Sequence, residues 1–372
     1  MQPLLPTKPY GFVAHTGASR LASPSQPPAS VIHPAQYQAK VDVFRRKHGL
    51  PGLAVAVINA DTCHYLCSGR QRIDAPTLLQ ASDSLPLGAL SKAVTATLLA
   101  RWVEQGKLRW DSTLAELLPA WRTQMRTEFQ TVTILQLLQH RAGLARDVCD
   151  LSYPQLLAML GGHPSADRST AARWILQQAP LGGMNHRAHY SNLGYLIADF
   201  IIELLGGNTY QNIMQEQLLS PLPLPSQHNN PSPVSGHYWS KTHWFSQAYW
   251  RRADDNDEAQ QLAQLKPAIR LSLAEYSVFL REHLRGLRGA SSLLSQRSFQ
   301  QLHTPSDYYA LGWACVQSTE YGSLSIHDSA EHGYRHYSLL IPASQRAVAI
   351  FCNGDQPRSG ASLVQLAESL IS

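Results

Sequence analysis

Apolar positions change period along the chain, and the changes predict its elements. From Ala35 to His48, Tyr37, Val41 and Phe44 recur at helical spacing, which predicts a helix with one buried side. Leu53 to Ile58 is a continuous apolar run rich in β-branched residues and reads as a buried strand. A second strand fits His64 to Ser68, with Gly69 closing it. Ala89 to Gln105 is apolar on several sides, through Val94, Leu98, Leu99, Trp102 and Val103, so a buried helix is expected, ended by Gly106. Further helical stretches fall at 133–139, 168–178, 191–205, 209–219, 272–285 and 295–302. The stretch 221–267, with several prolines and many polar residues, reads as a loop. Strands return at 308–316, 322–327, 335–341 and 346–352, and an amphipathic helix covers 361–371.

Strands at both ends of a chain with a helical middle imply that the ends meet in one sheet. The expected fold is α/β (α+β): a mostly antiparallel sheet built from 35–110 plus 305–372, flanked by helices, with an all-helical lobe over 111–304. Residues 1–34, which include seven prolines, form an irregular arm. The cleft between sheet domain and lobe is the natural place for a ligand.

Composition narrows the function classes. Hydrophobic residues make up 44% of the chain and charged residues 15%, a globular balance. The net charge is +5, but its densest clusters, Arg45 to Lys47 and Arg281, Arg285 and Arg288, fit solvated helix faces. No basic stripe or nucleic-acid motif is present, so no nucleic-acid partner is expected. The five cysteines are odd in number and irregularly spaced, which argues against a disulfide framework. Cys63 and Cys67 would share one strand face roughly 13 Å apart, too far to bond. No Cys/His cluster has zinc spacing, and neither metal nor cofactor is expected. No apolar run approaches the roughly 20 residues of a membrane span. With no basic-then-apolar leader and with unpaired cysteines, the cytoplasm is the expected compartment. A periplasmic or secreted protein would follow if an export signal had been removed. Oligomeric state leaves no mark on the sequence.

Three short segments carry candidate chemistry. In Leu87-Gly88-Ala89-Leu90-Ser91-Lys92, positions 89 and 92 share a helix face at the helix N-terminus, where N–H groups and the dipole favour negative charge. In His189-Tyr190-Ser191-Asn192, a phenol able to relay a proton and an amide able to hold a carbonyl stand two apart, just before a helix. In Ile326-His327-Asp328-Ser329-Ala330, a histidine would end a strand beside the cleft. Taken singly, each has a plain structural alternative. Lys92 would be a surface lysine, Tyr190 a core residue with Asn192 as a helix cap, and His327 a packed histidine.

Together, in this order and at these separations, the three segments resemble the serine β-lactamase and penicillin-binding-protein superfamily, in its class C β-lactamase, esterase and D-aminopeptidase branch. That family carries Ser-x-x-Lys, then Tyr-x-Asn, then Lys or His-x-Gly on a strand. The resemblance runs from about residue 36 to the end and includes Pro51 to Val55, Leu137 to Leu144, Tyr309 to Trp313 and Asn353-Gly354. It implies that Lys92 matches the general-base lysine and Tyr190 the proton-shuttling tyrosine. Asn192 matches the substrate-orienting amide and His327 the first residue of the third motif. The backbone N–H groups of residues 89 and 330 would form the oxyanion hole, with Ser329 and Ala330 beside the substrate.

Three departures stand out. Ala89 occupies the nucleophile's position. Ser329 replaces the third motif's glycine. Arg141-Ala142 replaces the family's Thr-Ser before Gly143-Leu144. Ser91 lies about 200° round the helix from residue 89 and is no substitute nucleophile. Three functions therefore stay open. One is a serine hydrolase acting through an acyl-enzyme on an ester, amide, D-peptide or β-lactam, its nucleophile replaced by Ala89. Another is a natural pseudoenzyme that binds an acyl or peptide ligand. The third is an acyltransferase or peptide cyclase, since hydrolysis and transfer share the acyl-enzyme. The departures at 141–142 and 329 speak for the second, because loss of the nucleophile alone does not account for them, but the intact Lys92, Tyr190-x-Asn192 and Gly88 keep the first as the leading reading. Tyr238, Trp239, Trp244, Phe245, Tyr249 and Trp250 would either line the cleft for an apolar acyl group or pack a long loop.

Overall fold

A computed structural model describes residues 34–151, 153–159, 168–181, 187–225, 234–240, 249–253, 269–356 and 359–371. The expected arm, 1–34, lies outside them except for Pro34, which instead opens the first helix, and so do the aromatics Trp244 and Phe245. Ten strands are described: β1 (Gly52–Asn59), β2 (Cys63–Gly69), β3 (Ser84–Pro86), β4 (His237–Ser240), β5 (Tyr249–Arg252), β6 (Arg270–Ser272), β7 (Ala314–Ser318), β8 (Gly322–Glu331), β9 (Tyr334–Ile341) and β10 (Arg346–Cys352). Six of them form the main sheet in the order β2-β1-β10-β9-β8-β7, every pair antiparallel. The first two strands of the chain thus join the last four, with Leu53 opposite Cys352 and Asn59 opposite Arg346.

The sheet is buried on both faces, and period-two alternation sorts its side chains. Leu53, Val55 and Val57 of β1 and Val348 and Ile350 of β10 share a cluster with Val41, Leu363, Leu366 and Leu370 of the terminal helices, Pro34–Lys47 and Ser359–Ile371. Ala54, Ala56 and Ile58 face the opposite side, together with Ala347, Ala349 and Phe351, and belong to the large inner core. The helix Leu273–Leu287 packs there against β1 and β10. Behind it runs Ser91–Glu104, buried from Lys92 through Ala100. A helix apolar all round needs cover on every side, and the helices Asn192–Gly206 and Gln296–His303 supply part of it.

Several boundaries differ from the sequence reading. Strand β7 starts at Ala314 rather than 308, because Gly312 turns the chain with φ +83°. Strand β8 runs four residues past His327, to Glu331, so the histidine sits inside a strand instead of ending one. The span 111–304 also contains β4, β5 and β6. Strands β4 and β5 pair as a hairpin where a loop was expected, with Trp239 opposite Trp250 and the rings 5.1 Å apart. Trp250 Nε1 donates to the Gly49 carbonyl at 2.6 Å, so this aromatic packs on the sheet domain. Cys63, Cys67, Cys315 and Cys352 are free thiols, and no helix among the described residues is long and apolar enough to cross a membrane.

Candidate active site

The first segment folds as a one-turn 3-10 helix, Gly88–Leu90, running directly into Ser91–Glu104. The second places Tyr190 and Asn192 either side of Ser191. Ser191, not Asn192, is the helix cap: its Oγ accepts from Gly194 N–H and donates to the Ala145 carbonyl at 2.6 Å. That leaves the Asn192 amide free of capping duty. The third lies on β8. Past Ile326 this strand has no β7 partner, and that stretch packs against the Gly88–Leu90 turn.

Lys92 is the centre of the assembly. Only 5% of it is exposed, and Nζ donates to Asn192 Oδ1 at 2.8 Å. The Asn192 Nδ2 group donates in turn to Asp147 Oδ2 at 2.7 Å. An ammonium can only donate and a carboxylate only accept, so the amide's orientation is determined by its neighbours. The ammonium also lies over two phenol rings, 5.1 Å from the centroid of Tyr190 and 5.5 Å from that of Tyr195.

Around this pair stands a ring of aromatics. His140 adopts a left-handed backbone, φ 58°, and is buried. Its ring lies 4.5 Å from Tyr190 and 4.3 Å from Tyr309. Its Nδ1 accepts from Ser191 N–H at 3.2 Å, tying the second segment to the Leu137–Leu144 stretch. Burial, with the charge of Lys92 adding, holds its imidazole well below the usual histidine range. His327 is 4% exposed, and its Nδ1 bonds the Gly312 carbonyl at 2.7 Å. Burial, reinforced by Lys92, lowers its pKa to about 3. It is therefore a neutral imidazole with the proton on Nδ1 and a lone pair on Nε2.

Ser329 and Ala330 follow on the same strand. Alternation turns Ser329 inward with His327, leaving it 2% exposed, while Ala330 is exposed. The Ser329 hydroxyl accepts the Ala89 backbone N–H at 2.9 Å. The sequence reading left that N–H for a substrate oxyanion; here the chain's own side chain takes it. Gly88 makes this possible, since a Cβ there would collide with Ser329 Oγ.

The structure thus brings Lys92, Tyr190 and Asn192 together, with His327 close enough for the lysine charge to act on it, and joins Ala89 to Ser329. Asp147, Tyr195 and the role of His140 were missed. His140 lay in a stretch already noted for its resemblance. Asp147 caps its own turn, Oδ1 accepting from Val148 N–H at 2.9 Å, but its bond to Asn192 comes only from the fold.

Lys92, near the start of the buried helix Ser91–Glu104, thus has Tyr190 and Asn192 around it and a strand histidine close by. The chain belongs to the β-lactamase family: the Beta-lactamase family model matches residues 37–370. It is 25% identical over 342 residues to penicillin-binding protein 4 of Amycolatopsis lactamdurans, covering 86% of this chain and 85% of that protein. Among solved structures it is similar to SurE, with a TM-score of 0.73 at 23% identity, covering 91% of this chain and 76% of that one. It is also similar to a class C β-lactamase from Rhodobacter sphaeroides, with a TM-score of 0.68 at 18% identity, covering 90% and 98%.

Proposed function

We propose that this chain is a ligand-binding member of the family that holds an acyl or peptide ligand without forming an acyl-enzyme. The carrying observation is Ala89, which puts a methyl group where the mechanism needs a nucleophile. The contacts of Lys92 fit the same reading. Its Nζ donates to Asn192 Oδ1 and lies over two rings, so the side chain anchors the site. In this reading Lys92 and Asn192 give polar recognition, Tyr190 and the neutral His327 complete the wall, and Ala330 offers a backbone N–H at the exposed end. Titration calorimetry with a β-lactam and with a short D-amino-acid peptide, followed by intact mass, tests it. Saturable binding of at least one, with no adduct and no hydrolysed product, is expected. Turnover that disappears in Lys92→Ala would sink the reading.

A second reading, a hydrolase lacking only its nucleophile, has one observation in its favour: Lys92, Tyr190 and Asn192 remain gathered around position 89. It expects Ala89→Ser alone to react at full rate with a β-lactam or a fluorophosphonate.

A further inference from the structure

The Ala89 N–H belongs to the one-turn 3-10 helix Gly88–Leu90, which leads directly into the buried helix Ser91–Glu104 and so lies beyond the positive end of its dipole. In a hydrolase of this family such a donor meets the oxyanion of the tetrahedral intermediate. Here it already has a partner inside the protein, Ser329 Oγ at 2.9 Å. Three features hold that hydroxyl in place. Strand alternation turns Ser329 inward, where it is 2% exposed. The β8 edge past Ile326 lies against the Gly88–Leu90 turn, not against a strand. Gly88, at φ +53°, has no Cβ to displace it.

We propose that Ser329 is a built-in occupant of the oxyanion position, so that two residues, not one, stand between this site and acyl transfer. The inference rests on the non-hydrolytic reading above and extends it. Restoring a hydroxyl at position 89 supplies a nucleophile, but the developing oxyanion must still compete with Ser329 for the same N–H. A neutral ground-state carbonyl loses far less from that competition than a tetrahedral oxyanion does. The occupied donor therefore suppresses reaction much more than binding.

The test compares Ala89→Ser with Ala89→Ser/Ser329→Ala and Ala89→Ser/Ser329→Gly, using a penicillin-type β-lactam. In the acylation step the introduced hydroxyl oxygen forms the new C–O bond. The ring C–N bond breaks, and the hydroxyl proton ends on the ring nitrogen. Intact mass gives the acylation rate constant, and competition with a non-reactive ligand gives the affinity. Both double variants should acylate on the order of 10²-fold faster than Ala89→Ser, the usual effect of one oxyanion-hole donor, with affinity changed only a few-fold. Ser329→Ala keeps the strand backbone and removes only the hydroxyl, so its agreement with Ser329→Gly shows that the hydroxyl, not local flexibility, is the block. Equal rates in the single and double variants overturn the proposal, as does failure of the folded double variants to acylate. Hydrolysis by the unsubstituted chain would instead overturn the non-hydrolytic reading, and the ratio of double-variant to single-variant rates would still decide the role of Ser329.

Discussion

At the scale of single residues the site turns on Asn192, whose two amide ends have opposite obligations. Oδ1 receives the Lys92 ammonium and Nδ2 serves the Asp147 carboxylate, at 2.8 and 2.7 Å. Leucine keeps the branched side-chain skeleton but can do neither. Asn192→Leu should destabilise the fold by about 2–4 kcal/mol, because it removes two charge-assisted hydrogen bonds at a largely buried pair. Urea unfolding measures this, and a loss below about 0.5 kcal/mol, the scale of an ordinary surface substitution, would show that the bridge is idle. The same bridge bears on chemistry. In the Ala89→Ser/Ser329→Gly background, Lys92 must lose a proton before it can act as the base. Lysine ionises near 10.4 in water, so acylation should rise with pH, and adding Lys92→Ala should lower the acylation rate constant far more than it lowers affinity. A comparable rate with an unchanged pH profile in the triple variant would rule the lysine out as the base.

At the scale of elements, the Tyr309–Trp313 turn shows how backbone geometry delivers a functional group. Gly312 passes so close to the central helix that a Cβ would lie 2.6 Å from Ala93 Cα and 2.7 Å from the Lys92 carbonyl oxygen. Its φ of +83° disfavours any L side chain. That close approach places its carbonyl on His327 Nδ1. Gly312→Ala should cost at least about 2 kcal/mol, since the obstructing atoms are backbone and cannot rotate away. A lowered denaturation midpoint with an unchanged slope is the expected signature, and stability equal to the parent chain would refute the packing argument. The β4–β5 hairpin carries the converse lesson. Its aromatics were legible as a cluster, but their use was not, because Trp250 finds its partner at Gly49, two hundred positions away.

At the scale of the whole molecule, buried imidazoles tie the elements together and set its response to acid. Thr97 Oγ1 donates to the Ala93 carbonyl at 2.7 Å, so it must accept from His283 Nε2. His283 Nδ1 then accepts from His303 Nε2 at 2.9 Å, and His303 Nδ1 from the Ser325 hydroxyl at 2.8 Å. The chain of bonds crosses three helices and β8 and works only with both rings neutral; an added proton would set N–H against a donor. Burial lowers the pKa of His303 to about 3 and that of His336 to about 4, and holds His283 well below the usual range, as it does His140 and His327. These folded values lie below the unfolded value near 6.5. Their stabilisation is therefore complete above pH 6.5 and is lost as pH falls toward 4, at about 1.4 kcal/mol per proton per pH unit. Asp199 runs the other way. Burial raises it from 3.8 to about 7, so its folded form is protonated where its unfolded form is ionised, and stability gains as pH falls from 7 to 3.8. Near pH 5, His303, His327 and His336 alone gain about three protons on unfolding while Asp199 releases about one, so a net uptake of at least about two is expected. The slope of unfolding free energy against pH between 6 and 5 measures it, and a slope equivalent to less than one proton would contradict the assignment.

Hydrophobic period was enough to locate β1, β2, β9, β10, the buried helix after Ala89 and the terminal helix. Each of these buries a face whose residues are neighbours in sequence, so the pattern is local. The three motif segments were legible for the same reason, since Ala89 and Lys92 share one helix turn and Tyr190 and Asn192 stand two apart. The sequence also implied that the two ends meet in one sheet, but the tertiary structure alone decided which side chains meet across segments. It made Ser191 the cap and so released Asn192 for Lys92. It brought Asp147 to the amide's other end, carried β8 past His327, and set the Ser329 hydroxyl on the Ala89 N–H. Hydrogen bonds and charge act over a few ångströms of space without regard to sequence separation. A serine 240 positions away can therefore close a backbone donor that local sequence would leave open.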